Sequence, residues 1–193
     1  DNDIKEYIKD EYRLLIGDKT AEKIKKEIGS VYNSDPENEI EVRLGDGLST
    51  YSDEVNTAII SGMGGRTIIG ICKNNYKTFK KIDTYILSPN NYQEDVKRFM
   101  CQNGYYIENE EFVKENKFIY QIIIFKKGKK KYSKKEYFFG PVFLEKKGPL
   151  FREYFERELK SREILLQLLP KNYYLKRFKT KNEIKMIKNE IED

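Results

Sequence analysis

The chain has 193 residues with 38% hydrophobic and 36% charged residues and a formal charge of +5. It is long enough for one ordinary domain with an appendage and apolar enough for a core, which excludes global disorder. It contains no histidine, which excludes a Ser-His-Asp triad, a Cys-His dyad and any His-based metal site.

No apolar run approaches the ~18 residues of a membrane span, and no signal peptide is visible. The chain opens on Asp1, as a processed or partial product would. Cys72 and Cys101 are far apart, form no metal-ligand pair, and read as reduced thiols of a cytoplasmic protein. The charge is uneven. Residues 126–193 hold 20 Lys+Arg and 10 Asp+Glu, leaving 17 and 22 in residues 1–125. A basic carboxyl-terminal third points to a polyanion partner, with solvated Lys-rich helices as the plain alternative.

In chain order, Ile4, Tyr7, Ile8, Tyr12 and Leu15 recur at helical spacing, and Gly17 breaks the pattern. Thr20 caps a second predicted helix, Ala21 to Ile28, which Gly29 ends. Residues 1–34 therefore read as a helical hairpin, and residues 33–38 as a turn-rich linker. Ile40, Val42 and Leu44 alternate as a strand, followed by the turn Gly45-Asp46-Gly47-Leu48. Asn56 to Ser61 is the next predicted strand. It runs into the glycine turn Gly62-Met63-Gly64-Gly65 and a helix from about Arg66 to Asn75. In an open α/β sheet such a turn lies where ligands bind, though a plain strand–helix connection looks the same. A third strand, Asp83 to Ser88, ends in Pro89-Asn90-Asn91. A helix from Asp95 to Asn103 closes at Gly104. Tyr105 to Val113 and Phe118 to Phe125 read as an antiparallel hairpin. Pro149 to Leu169 and Tyr173 to Ile191 carry apolar stripes, with Ile184, Ile187 and Ile191 at heptad-like spacing. Pro170-Lys171-Asn172 joins them, so an antiparallel helical pair is predicted.

Two resemblances follow. Residues 1–38, chiefly 14–32, resemble a segment of bacterial actin-like, rod-shape-determining proteins, without that family's nucleotide motifs. Further on, Gly45-Asp46-Gly47-Leu48, Ser61-Gly62-Met63-Gly64-Gly65, Leu87-Ser88-Pro89-Asn90, Asn103-Gly104-Tyr105 and Phe139-Gly140-Pro141 occur in order. Residues 39–193 thereby resemble the bacterial S-adenosylmethionine-dependent tRNA methyltransferases that modify N1 of adenine 22. The resemblance implies an α/β fold, a class I (Rossmann-like) methyltransferase domain over 39–145, followed by a C-terminal antiparallel, coiled-coil-like helical region over 146–193. The family's first strands, with their acidic cofactor-binding loop, have no counterpart in residues 1–38. The domain is therefore expected to lack those strands and to bind cofactor poorly.

The resemblance also implies roles. Asp46, Gly47 and Leu48 would lie beside the adenine of S-adenosylmethionine. Ser61 and Gly62 would border its methionine end. Met63 and Asn90 would line the pocket of the target base. Adenine N1 carries its own lone pair, so transfer needs alignment with the sulfonium methyl and no assigned general base. A base in folded RNA must be extruded, and Tyr92 and Phe99 are candidate stackers, although core packing is the commoner fate of such residues. Lys126, Lys127, Lys129, Lys130, Lys131, Lys134 and Lys135 would contact phosphates of tRNA. No metal and no membrane are implied. A non-catalytic RNA-binding remnant and an actin-like cytoskeletal module are the alternatives.

Overall fold

Alternating apolar residues over 84–89 and 118–127 make the two strands on which the fold is built. In this computed structural model, residues 45–53 and 55–192 are described, and they lie in one unit that begins at Gly45. Four strands form a sheet: β1 (Thr57–Met63), β2 (Thr84–Pro89), β3 (Tyr105–Glu115) and β4 (Phe118–Lys127). Their order is β1-β2-β4-β3. β1 and β2 are parallel and joined by two helices, α1 (Gly65–Asn74) and α2 (Tyr76–Lys81). β4 is antiparallel to both β2 and β3. The predicted hairpin of β3 and β4 is therefore present, turning through Asn116 at φ 53, a conformation that asparagine tolerates better than most residues. Between β2 and β3 runs α3 (Gln93–Gln102).

The predicted strands and the α1 and α3 helices lie where the periodicity puts them, give or take two residues. α2 is a separate helix that the sequence reading missed. The predicted strand at 39–44 and the helical hairpin of residues 1–34 fall outside the described residues.

One core joins α1, α2 and α3 to the sheet. It contains Ile68, Cys72, Phe79, Val96, Met100, Tyr85, Leu87, Tyr105, Ile107, Ile123 and Phe125. Phe79 packs its ring 5.3 Å from Tyr85 and 5.1 Å from Tyr105. The Tyr105 hydroxyl lies 2.7 Å from the Phe79 carbonyl and 2.8 Å from that of Ile82, so it satisfies groups at the end of α2 that have no helical partner.

After β4 come two six-residue helices that were also missed, α4 (Lys134–Phe139) and α5 (Pro141–Lys146). Ser133 and Glu136 form a capping box at the start of α4, and Gly140 at φ 103 makes the corner between the two. The long helices α6 (Pro149–Leu168) and α7 (Tyr174–Glu192) complete the chain. They are antiparallel: Arg162 pairs with Glu183 at 2.9 Å and Lys188 with Glu163 at 2.9 Å, while Arg152 reaches the Ile191 carbonyl. Phe139, Phe143, Phe151, Phe155 and Ile187 form a second core at the base of this pair, with Phe112 of β3 stacked 3.9 Å from Phe143. The far end of the pair exposes Leu168, Tyr173, Tyr174, Leu175 and Phe178.

Between the two cores lies an ion pair. Lys97 Nζ of α3 is 2.8 Å from Glu110 Oε1 of β3, and both side chains are 0% exposed. The Val142 N–H of α5 donates to Glu110 Oε2 at 3.0 Å. Burial pulls the Lys97 ammonium below its usual pKa despite the attraction of Glu110.

Candidate functional site at the carboxyl ends of β1 and β2

β1 and β2 run in parallel register from Thr57↔Thr84 to Ser61↔Ser88, so their carboxyl ends lie side by side. The register then shifts by one residue, because Gly62 is a bulge at φ 73. Nothing lies within 4 Å of where a Cβ on Gly62 would sit, so the backbone there faces open space. Beyond the bulge the two strand ends are fastened together. The Asn90 N–H donates to the Met63 carbonyl at 2.9 Å. The Gly65 N–H reaches both the Asn91 carbonyl, at 3.2 Å, and Asn91 Oδ1, at 3.1 Å. A Cβ on Gly65 would lie 2.6 Å from the Asn91 carbonyl oxygen. The glycine is therefore required by the close approach of the second loop and not by its own φ.

Tyr92 follows in the left-handed conformation at φ 53, with 44% of its surface exposed. The Arg66 guanidinium carbon sits 4.3 Å above its ring. Of the two candidate stackers, Tyr92 thus stands at the site and in solvent. Phe99 packs on the core, 5.6 Å from Phe79, as the plainer reading expects.

Ser61, Gly62 and Asn90 are exposed at the strand ends, and Met63 is half-buried against the core. Asp46 caps a short 3-10 turn (Gly47–Thr50), which holds Gly47 and Leu48 and packs against α1. Leu48 packs on the core, and a Cβ on Gly47 would meet Ile71 at 2.7 Å. Asp46 is exposed, and its N–H donates to Ser49 Oγ at 2.9 Å. The structure thus brings Met63 and Asn90 into direct contact, while the Asp46 turn is placed through α1. Arg66 and Asn91 were not singled out from the sequence. The doubled Asn90-Asn91 after Pro89 was the available signal for the second.

The basic run divides in two. Lys126 pairs with Glu108 at 3.2 Å, Lys127 with Asp83 at 2.7 Å, and Lys135 with Glu190. Lys130 lies 5.0 Å over the Tyr106 ring. Lys129, Lys131 and Lys134 are exposed and have no ion-pair partner among the described residues. Lys134 and Lys135 of α4 line a pocket with Phe139, and with Met186 and Glu190 of α7. Burial pushes the Cys101 thiol up to about 11 and the Cys72 thiol up to about 12, so neither is a thiolate nucleophile at neutral pH. Among the described residues no three metal-ligating side chains converge, and no helix is long and apolar enough to cross a membrane.

A family model for the tRNA (adenine(22)-N(1))-methyltransferases, TrmK, matches residues 14–192. No curated protein matches the chain. Among solved structures, a Streptococcus agalactiae protein of the NADB-Rossmann superfamily is 28% identical, covering 91% of this chain and 76% of its own, with a TM-score of 0.74. Sp1610 of Streptococcus pneumoniae, a candidate tRNA (m1A22) methyltransferase solved with S-adenosyl-L-methionine, is 25% identical over 86% of this chain and 75% of its own, with a TM-score of 0.72. The Bacillus subtilis m1A22 tRNA methyltransferase TrmK shares the fold at 19% identity, 89% and 76% coverage and a TM-score of 0.70. The family match runs through residues 14–32, on which the actin-like resemblance rested. That resemblance is therefore corrected. An amphipathic helix–glycine–helix pattern is common to many unrelated chains and does not specify one.

Proposed function

Because the chain belongs to the family of tRNA (adenine(22)-N(1))-methyltransferases, we propose that it transfers a methyl group to N1 of adenine 22 in tRNA at the joined ends of β1 and β2. Residues 39–145 carry the chemistry. Residues 146–193 form a basic, coiled-coil-like pair that meets the tRNA. The observation that carries this reading is the 2.9 Å bond from the Asn90 N–H to the Met63 carbonyl, which makes one ledge of two strand ends beside the open backbone of Gly62.

The residues fit the cofactor in chemistry. S-Adenosylmethionine, when bound, supplies an electrophilic methyl on its sulfonium. Gly62 lets a ligand approach the main chain, and the Ser61 hydroxyl beside it can hydrogen-bond the methionine end. The exposed Asp46 carboxylate can accept from the cofactor, with Gly47 and Leu48 beside its adenine ring. At the target base, the Asn90 amide oxygen can accept from the N6 amino group, leaving the N1 lone pair free to be aligned. Met63 supplies an apolar wall. No proton has to leave N1 before attack, so orientation carries the rate and no thiol or general base is required.

On the tRNA side, Lys129, Lys131 and Lys134 are uncommitted cations. The exposed pairs of Lys126 and Lys127 are weak enough for a phosphate to replace the carboxylate, whereas Lys135 is held by the nearly buried Glu190. The far end of the α6–α7 pair presents Tyr173, Tyr174 and Phe178 among Lys171, Lys176 and Lys179, with no acidic residue from 164 to 182. Aromatic rings among cations suit RNA with unstacked bases.

Labelled methyl transfer from S-adenosylmethionine to a tRNA with adenine at position 22, and to the same tRNA with guanine there, tests the reading. Transfer to the first alone is expected. Equal labelling of both, or of neither, overturns it. In calorimetry, Asp46→Ala weakens S-adenosylmethionine binding without altering tRNA binding.

A further inference from the structure

Of the described arginines, Arg98, Arg152, Arg157, Arg162 and Arg177 each donate to a carboxylate or a main-chain carbonyl. Arg66 alone makes no hydrogen bond or ion pair. The comparison with Arg98 is close. Its guanidinium also lies 4.3 Å over a tyrosine, Tyr137, but is held by Glu94 at 2.7 Å. Arg66 is the second residue of α1, immediately after the Gly65 clamp, and its face is spent on Tyr92 while its planar edge of N–H donors is unspent. Tyr92 is unusual in its own right. A large aromatic in the left-handed region is strained, and this one is 44% exposed, so core packing does not account for the conformation. Its main chain caps α3, where the Tyr92 carbonyl accepts the Val96 N–H at 3.1 Å, and its ring is left beside Arg66. Two unsatisfied features thus stand together beside Met63 and Asn90: an aromatic face turned to solvent and a cationic edge without an anion.

Resting on the tRNA methyltransferase reading above, we infer that Arg66 is a positioning residue for the RNA substrate. It holds the Tyr92 ring as a stacking face for the extruded base, and its N–H edge takes the phosphate flanking that nucleotide. The division of labour follows from geometry. Stacking uses the guanidinium plane, and phosphate recognition uses its rim, so one side chain does both at once. A lysine keeps the charge but has no plane to hold the ring.

The test uses the full chain with Arg66→Ala, Arg66→Lys, Tyr92→Ala and Tyr92→Phe, each checked for an unchanged melting temperature. Arg66→Ala is expected to raise KM for tRNA about tenfold and to lower the slope of log Kd against log salt by about one. The Kd for S-adenosylmethionine stays within about twofold, since a flanking-phosphate contact touches only the RNA. Arg66→Lys keeps the wild-type salt slope, while Arg66→Ala and Arg66→Lys both lower kcat because neither holds the ring. Tyr92→Phe behaves as the wild type, and Tyr92→Ala loses kcat. An unchanged KM for tRNA in Arg66→Ala overturns the inference. So does an equal loss of S-adenosylmethionine affinity, which would assign the guanidinium to the cofactor's carboxylate. A wild-type chain that methylates no tRNA overturns the function itself. An active wild type with indifferent Arg66 variants overturns this inference alone.

Discussion

The glycines of the 62–65 turn show how one residue type serves different needs. Gly62 has a positive φ over open space, Gly64 is extended, and Gly65 is in a helix but pressed against a neighbouring main chain. A sequence displays three glycines and not these three reasons, because the close approach comes from Asn91, 26 residues away in the chain. Substitution separates them. Gly65→Ala drives a Cβ into a carbonyl oxygen that cannot swing aside, and is expected to cost about 1–3 kcal/mol. A melting scan reads this as a fall of several degrees. Gly70→Ala, in the middle of α1 with nothing within 4 Å of its Cβ, is expected to raise the melting temperature, by about 0.5–1 kcal/mol of stability. If both variants melt alike, contact with Asn91 is not what Gly65 is for.

At the level of elements, long periodic segments were legible and short ones were not. The apolar stripes of 149–169 and 173–191 anticipated α6 and α7 to within a residue or two at each end, because burial against a partner helix imposes the period. α4 and α5 are six residues each, too short to show one, although the Ser133–Glu136 box was written in the sequence. Glu190 links these two groups. It is nearly buried on α7, with Lys135 of α4 at 2.5 Å and Lys147 at 3.0 Å. Burial pushes its carboxyl up, and the two ammoniums together more than reverse this, so it titrates below the ordinary 4.5. A depressed folded-state pKa means that the stabilisation is complete above the ordinary value and is lost as pH falls below it. Glu190→Gln is expected to cost about 1–2 kcal/mol at neutral pH. Urea midpoints of variant and wild type should converge in acid. A gap that persists undiminished at pH 3 would show that packing, not charge, is what the substitution removed.

For the whole molecule, composition conveyed the uneven charge but not how it is used. Three of the seven lysines offered to phosphate are already paired, and the sequence could not show this because their partners Asp83, Glu108 and Glu190 come from other parts of the chain. The pair of Lys97 and Glu110 was equally hidden. It ties the α/β core to the phenylalanine core, and Gly140 packs against the Glu110 carboxylate. Glu110→Gln leaves a buried ammonium without its counter-charge and is expected to cost about 3–5 kcal/mol. Adding Lys97→Met should recover most of that loss, measured by urea unfolding. Failure of the second change to recover it would locate the cost in the glycine corner instead. The joined strand ends have a further consequence, one of inheritance. The Met63–Asn90 bond is made by main chain alone and survives substitution, but the links of Gly65 to Asn91 and of Arg66 to Tyr92 depend on side chains. Lineages that change one member of either pair are constrained to change the other, so these four positions should drift through evolution together while Met63 and Asn90 vary separately.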